Sequence, residues 1–94
     1  MKKSNLKVNV YEILDVVERA KLLAKISKKF GIVPWNITFD YDLFRQVLIT
    51  CGFPDSFREF KKIKCVGYSF YLEIFYSRPN APRSEIFAFV SAAR

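Results

Sequence analysis

The sequence predicts a single α+β domain in which helices precede a C-terminal antiparallel β-hairpin. Hydrophobic residues make up 51 % of the 94 residues, enough for one modest core and too few for two. Apolar residues recur at helical spacing before residue 52, and from Val66 onward they alternate with a period of two. Pro79 and Pro82 interrupt the alternating region, as a hairpin loop would. We expect one domain over residues 1–94, with residues 1–8 flexible.

The first predicted helix runs from Asn9 to Gly31. Asn9 and Glu12 have the spacing of a capping box, in which each side chain bonds a backbone amide at the helix start. Gly31 ends the helix, and Pro34 prevents it from resuming. The pattern predicts an exposed basic face with Lys21, Lys25 and Lys28, and a buried apolar face formed by Ile13, Val16, Val17, Ala20, Leu23 and Ala24.

Three shorter elements follow. Residues 36–39 form a β-prone run, and Asp40 or Asp42 can cap a second helix that Gly52 closes. This second helix repeats its apolar residues at i, i+3, i+4 and i+7, namely Phe44, Val47, Leu48 and Cys51. A third, short helix is expected near residues 55–63, with Phe57 and Phe60 on one side and the basic residues Arg58, Lys61 and Lys62 on the other.

The predicted hairpin consists of a long strand over residues 66–77, a loop over residues 78–83 and a returning strand over residues 85–90. Alternation places one set of apolar side chains on each face of these strands. Phe75, Phe87 and Phe89 share the second face, so we expect the first helix or a partner subunit to cover that face.

Several classes of function are disfavoured by composition. Cys51 and Cys65 are fourteen residues apart and the chain has no histidine, so we expect free, buried thiols and no metal site. No apolar run matches a signal peptide or a membrane span, and we expect a cytoplasmic protein that contacts no membrane. We identify no catalytic residues and expect no cofactor, because no phosphate-binding glycine loop or nucleophile motif occurs.

The net charge of +7 points to the partner. Residues 1–33 carry eight Lys or Arg against three acids, and residues 58–94 carry seven against three. Such a field attracts phosphate backbones or acidic protein surfaces, although a merely solvated surface can have the same composition. We therefore expect nucleic acid as the partner, duplex DNA before RNA, with an acidic protein as the alternative.

The order of elements resembles that of winged-helix DNA-binding domains over nearly the whole chain. The resemblance implies a dimeric transcriptional regulator whose recognition helix lies near residues 55–63 and whose wing is the loop over residues 78–83. Helix and wing would contact bases and phosphates through basic side chains. The residues expected to bind nucleic acid are therefore Arg58, Lys61, Lys62, Lys64, Arg78 and Arg83.

Residues 36–94 also resemble BrnT-type toxins of the RelE-like ribonuclease superfamily. The resemblance is carried by residues 39–45, by Gly52, Ser56 and Phe57, and by the segments 66–69 and 91–94. Cys51–Gly52 stands where that family has histidine and glycine. The resemblance implies RNA cleavage in which Arg78, Arg83 and Arg94 bind the phosphates, with Arg45 as a lesser candidate. A small viral or plasmid-encoded protein-interaction or inhibitor module is the third alternative.

Two aromatic positions allow either a structural or a binding role. Trp35 can fill the core or serve as a platform for base stacking, and we expect the core role. Tyr71 and Phe75 share a strand face that can stack single-stranded bases or pack against a helix, and we expect helix packing.

Overall fold

The structure, a computed structural model, describes residues 7–52 and 54–93. The regular elements in chain order are β1 (Lys7–Val8), α1 (Val16–Phe30), β2 (Ile37–Thr38), α2 (Tyr41–Cys51), β3 (Arg58–Cys65), β4 (Tyr68–Tyr76) and β5 (Ile86–Ala93). Short 3-10 turns precede α1, β2, β3 and β5. The α+β class is confirmed, and the described residues contain two α-helices where the sequence predicts three.

One five-stranded sheet organises the fold, and β5 lies at its centre. On one side β5 pairs antiparallel with β4, which pairs antiparallel with the edge strand β3. On its other side β5 pairs antiparallel with β1 and parallel with β2. The predicted hairpin is therefore present as β4 and β5. It is part of a larger sheet that includes Lys7 and Val8, two residues that we expected in a flexible end.

Two hydrophobic clusters hold the helices on opposite faces of the sheet. Leu22 and Ile26 of α1 are fully buried in the larger cluster, whose members on the sheet include Ile63, Phe70, Leu72, Ile74, Ala88 and Val90. The smaller cluster joins Phe44 of α2 to Phe75 and Phe89, with ring centroids 5.4 and 5.7 Å from that of Phe44. The expectation that α1 or a partner covers this second face is wrong, because α2 covers it.

The N-cap of α1 lies six residues later than predicted, at Asp15 instead of Asn9. The Asn9 side chain accepts a hydrogen bond from the Tyr11 amide, but only a single 3-10 turn follows it. Asp15 and Glu18 form the capping box instead. The Asp15 carboxylate accepts from the Glu18 amide at 2.8 Å, and the Glu18 carboxylate accepts from the Asp15 amide at 3.2 Å.

The buried face of α1 is rotated from the predicted one. Val16 and Val17, which we expected in the core, are 69 % and 59 % exposed, and Ala20 and Ala24 are exposed as well. The prediction counted the helical phase from Ile13, which precedes the helix, so the phase was wrong. The basic face is confirmed, because Lys21, Lys25 and Lys28 are all exposed.

Helix α2 matches its prediction in both ends and phase. The Asp40 carboxylate accepts from the amides of Asp42 and Leu43, and Gly52 ends the helix with a φ of 66°. Phe44 is buried and Leu48 packs beside it. Cys51 is exposed and Cys65 half-buried; both thiols are free as expected, but Cys51 is not buried.

Residues 58–65 form strand β3, so the predicted third helix is wrong. β3 pairs with β4 in an unbroken ladder from Arg58 opposite Phe75 to Cys65 opposite Tyr68. Val66 and Gly67 close this hairpin with φ values of 46° and 84°, the positive values that two-residue hairpin turns require. A helix of about nine residues is marginal by itself, and no side chain caps the turn at residues 55–57, so pairing with β4 prevails.

A buried amide links β2 to the segment before β5. The Asn36 side-chain nitrogen donates to the carbonyl oxygens of Ser84 and Ile86, both at 3.1 Å. These bonds hold the short parallel pair of β2 and β5 in register. Within residues 7–52 and 54–93, neither helix has the length and apolarity that crossing a membrane requires.

Candidate nucleic-acid interface

The fold separates the six basic residues that the sequence assigned to one interface. Arg58, Lys61, Lys62 and Lys64 lie on β3, and Arg78 and Arg83 lie on the segment between β4 and β5. Side chains on a strand alternate between its faces, so Lys61 points to the opposite side from Lys62 and Lys64. The predicted grouping of Arg58, Lys61 and Lys62 on one helix face is therefore wrong.

Arg58 has a structural role. Its guanidinium lies 3.4 Å from the Glu73 carboxylate. Glu73 is paired with Phe60 in the β3–β4 ladder, and both side chains lie on the second face of the sheet. The guanidinium carbon also lies 4.7 Å from the ring centre of Phe60 and 5.2 Å from that of Phe75. These contacts fix Arg58 against the cluster under α2. Its charge is thus largely compensated within the chain.

Lys61 belongs to a polar group on the face of the sheet that α1 covers. Its ammonium lies 3.2 Å from the Glu59 carboxylate. A hydrogen bond from Tyr76 and the contact with Lys61 lower the pKa of Glu59. Burial, together with the hydrogen bond to Glu59, raises the pKa of Tyr76 to about 12. Glu59 therefore stays ionised and Tyr76 protonated near neutral pH, and the charge of Lys61 is compensated.

The side chains of Arg78 and Arg83 each contact another residue of the chain. The Arg78 guanidinium lies 3.4 Å from Glu85, whose carboxylate also accepts a 2.6 Å hydrogen bond from the Ser77 hydroxyl. Arg83 donates at 3.5 Å to the Ser27 hydroxyl near the end of α1. Both side chains remain exposed. They lie at the far end of the β3–β4 hairpin from Lys64, so a single wing does not unite them with the basic end of β3.

Lys62 and Lys64 meet two lysines of α1 that the sequence reasoning left out of the site. A depression of about 400 Å³ is lined by Lys25, Lys29, Lys62, Lys64, Ile63 and Ser69. The Lys25 ammonium donates to the carbonyl oxygen of Lys64, which ties α1 to the edge strand. In the part of the chain that the structure describes, none of the four lysines forms an ion pair. Four uncompensated cations therefore surround one depression.

An aromatic depression of similar size adjoins the basic one. It is lined by Phe60, Lys61, Lys62, Tyr71 and Leu72, so Lys62 belongs to both depressions. The Lys62 ammonium lies 5.5 Å from the ring centre of Tyr71, and Phe60 is 63 % exposed. Because Lys62 lines both depressions, we call the two together the β3 groove; Phe60 and Tyr71 lie on the second face of the sheet, and Lys25 and Lys29 reach β3 from α1 on the other face. The expected helix packing holds for Phe75, whereas Tyr71 lies in this groove.

Trp35 lies outside the β3 groove. It is 80 % exposed, so the expectation that it fills the core is wrong. Its neighbour Pro34 lines a third depression with Lys28 and Arg83. No local sequence signal marks this exposure, which arises because Asn36 rather than Trp35 turns inward to bond Ser84 and Ile86.

Comparison with protein-family models, with curated proteins and with solved structures finds no match. Of the arginines that the toxin resemblance implies, Arg94 lies outside the described residues, and Arg45 is exposed on α2.

Proposed function

We propose that the protein binds nucleic acid and that the β3 groove holds a single-stranded segment. The proposal is supported above all by the four unpaired lysines that adjoin two accessible rings, Phe60 and Tyr71. Proteins that bind single strands combine a positively charged track for the backbone with aromatic side chains on which bases stack. The β3 groove offers both features around one edge strand.

A single strand fits the groove better than a duplex. The sequence assigned duplex reading to a helix over residues 55–63, but these residues form a 3-10 turn and the first six residues of the strand β3. Phe60 and Tyr71 are diagonal neighbours on adjacent strands, because Phe60 is opposite Glu73 and Lys62 is opposite Tyr71. Flat rings on a sheet face can stack only on bases that are not already stacked and paired in a duplex. RNA and single-stranded DNA are therefore the preferred ligands.

The number of lysines sets the expected salt dependence. Binding of a single strand weakens with salt at a logarithmic slope of about −0.7 for each phosphate neutralised. If each of the four lysines neutralises one phosphate, the slope is about −2.8, and raising the salt from about 50 to 200 mM weakens binding about 50-fold. Removing two of the lysines reduces the slope to about −1.4 and that loss to about sevenfold.

The test is a salt series of fluorescence anisotropy with labelled single-stranded RNA, single-stranded DNA and duplex DNA. The groove variant K62Q/K64Q is compared with K28Q/R45Q, which removes the same charge from exposed positions that do not line the groove. We expect K62Q/K64Q to halve the slope, and K28Q/R45Q to leave it within experimental error. Equal slopes for both variants would show that binding reflects net charge alone and would refute the assignment of the groove.

A second variant tests the aromatic depression independently of charge. Base stacking on an aromatic side chain contributes about 1–3 kcal/mol by alanine substitution, so F60A should weaken single-strand binding at least about fivefold. The salt slope should not change, because no charge is removed. Unchanged affinity would contradict stacking on Phe60. Gel analysis of the RNA from the same samples tests the RNA-cleaving alternative, which predicts shortened products.

A further inference from the structure

A cavity on the second face of the sheet has the opposite electrostatic character to the β3 groove. It is about 670 Å³ in volume and lies between β1, the first turn of α2 and β5. Its walls include Tyr11, Phe39, Tyr41, Asp40, Asp42 and Ser91. An acidic, aromatic cavity in a chain of net charge +7 is not explained by nucleic-acid binding.

Two pairs of rings form the apolar walls. The Tyr41 ring meets Phe89 edge-on with centroids 5.1 Å apart, and Tyr11 meets Phe39 edge-on at 5.7 Å. Phe39 and Phe89 are buried, while Tyr11 and Tyr41 are about half-exposed. The buried rings anchor the two tyrosines. Aromatic faces attract cations, and the attraction grows as the site excludes water.

Two carboxylates supply the negative charge. One oxygen of Asp40 accepts from the amides of Asp42 and Leu43, which fixes this carboxylate at the start of α2. In the part of the chain that the structure describes, neither Asp40 nor Asp42 forms an ion pair. Glu73 also lines the cavity, and Arg58 compensates its charge. The positive end of the α2 dipole opposes a cation here, and Asp40 and Asp42 offset it.

Ser91 provides a separate indication of a ligand. Its side chain lines the cavity although the residue is only 5 % exposed. Within residues 7–52 and 54–93, its hydroxyl has no hydrogen-bond partner. The described residues contain no buried side-chain oxygen or nitrogen without a partner, so this hydroxyl is open to the cavity, where a ligand can hydrogen-bond to it.

We infer that this cavity binds an organic cation, an ammonium or guanidinium group on an apolar stem. The carboxylates attract the charged head, the rings of Tyr11 and Tyr41 contact the stem or the face of a guanidinium, and Ser91 accepts a hydrogen bond. A metal ion fits less well, because no three acidic or cysteine side chains of the described residues come close enough to share one. The inference does not depend on the nucleic-acid proposal, since it uses other residues.

The test is an NMR titration of the full chain with butylguanidinium and with butylurea, which has nearly the same shape but no charge. A ligand of about eight non-hydrogen atoms is expected to bind with a Kd on the order of 1 mM. We expect saturable shifts at Ser91 and Tyr41 with butylguanidinium, and at least about tenfold weaker binding of butylurea. Equal binding of the two compounds, or shifts that avoid Ser91 and Tyr41, would overturn the inference.

Charge variants complete the test. Asparagine also caps helices, so D40N/D42N should keep α2 folded, which circular dichroism verifies. At about 6 Å in a wet site each carboxylate accounts for about threefold in affinity, so D42N should weaken binding about threefold and D40N/D42N about tenfold. D55N, which removes an exposed acid outside the cavity, should change nothing. Unchanged binding by folded D40N/D42N would refute the role of the carboxylates.

The same titration separates two sources of the cation. A capped tripeptide with a central arginine carries the same guanidinium within a peptide backbone. At least tenfold tighter binding of the peptide than of butylguanidinium would identify the ligand as a basic side chain of a partner protein. Equal or weaker binding would identify a free amine or guanidine. Both results are consistent with a cation site, and loss of both interactions in D40N/D42N confirms that they share it.

Discussion

Replacing Phe44 by alanine tests whether α2 and the sheet form one cooperative unit. Phe44 is 1 % exposed, and its ring contacts those of Phe75 and Phe89. Truncating a buried phenylalanine to alanine costs about 3–5 kcal/mol, because apolar burial is lost and a cavity remains. A chain of this length has a free energy of unfolding of about 5–14 kcal/mol. F44A should therefore remove a large part of the stability.

Thermal unfolding followed by circular dichroism measures this effect. For a domain of this size each kcal/mol lowers the Tm by about 4–8 °C, so a loss of about 3–5 kcal/mol in F44A should lower it by about 12–40 °C. I49A is the matched control, because Ile49 lies on the same helix and is 73 % exposed. Its Tm should change by less than about 4 °C. A fall of less than about 5 °C for F44A would refute the reasoning, as would separate melting of α2 before the sheet.

Two further predictions concern the β3–β4 hairpin. Val66 adopts a φ of 46°, which is unfavourable for a β-branched residue, and Asn–Gly is the preferred pair for such a turn. V66N should therefore raise the Tm by about 4–8 °C, corresponding to about 1 kcal/mol, and an unchanged Tm would show that the turn is not strained. Tyr76 should ionise with a pKa of about 12 in an ultraviolet titration. Its folded pKa is raised, so its stabilising effect is complete below the usual tyrosine value of 10 and disappears as the pH rises towards 12. Y76F should abolish this alkaline loss of stability; the same loss in Y76F would assign it to another group.

Elements whose signals are local could be predicted from the sequence. Asp40, the spacing of apolar residues from Phe44 and Gly52 all define α2 within a dozen residues, and these signals agree. The alternation in β4 also lies within one segment, and its errors are confined to the ends, where Val66 and Gly67 form the turn and Ser77 follows the strand. Caps and periodicity report backbone geometry directly, so these elements need no knowledge of distant neighbours.

The remaining errors depend on contacts between distant residues. Phe57 and Phe60 have a spacing that fits a helix, and only the ladder to β4 makes this segment a strand. The error at α1 arose because Asn9 caps a single turn while Asp15 starts the helix. Asn9 and Asp15 are both capping residues, so the local sequence does not distinguish the two possible helix starts, and the packing of α1 against the sheet favours the later one.

The candidate site was only partly foreseen for the same reason. Lys62 and Lys64 were included, but their neighbours Lys25 and Lys29 come from a helix about 35 residues earlier in the chain. Lys25 reaches the Lys64 carbonyl only because α1 packs under the edge strand. Charge counts indicated a basic protein, whereas the grouping of the free cations follows from tertiary packing.

The central position of β5 has a consequence for synthesis of the chain. β1, β2 and β4 all take their hydrogen-bond partner from a strand that follows them in sequence. A ribosome produces the residues of β1 about 85 positions before their partners Ala92 and Ala93. The nascent chain can form α1, α2 and the β3–β4 hairpin early, but the sheet must close late, through contacts of large sequence separation that slow folding. Until then the inner edge of β4, rich in tyrosine and phenylalanine, stays unpaired and can associate with other chains.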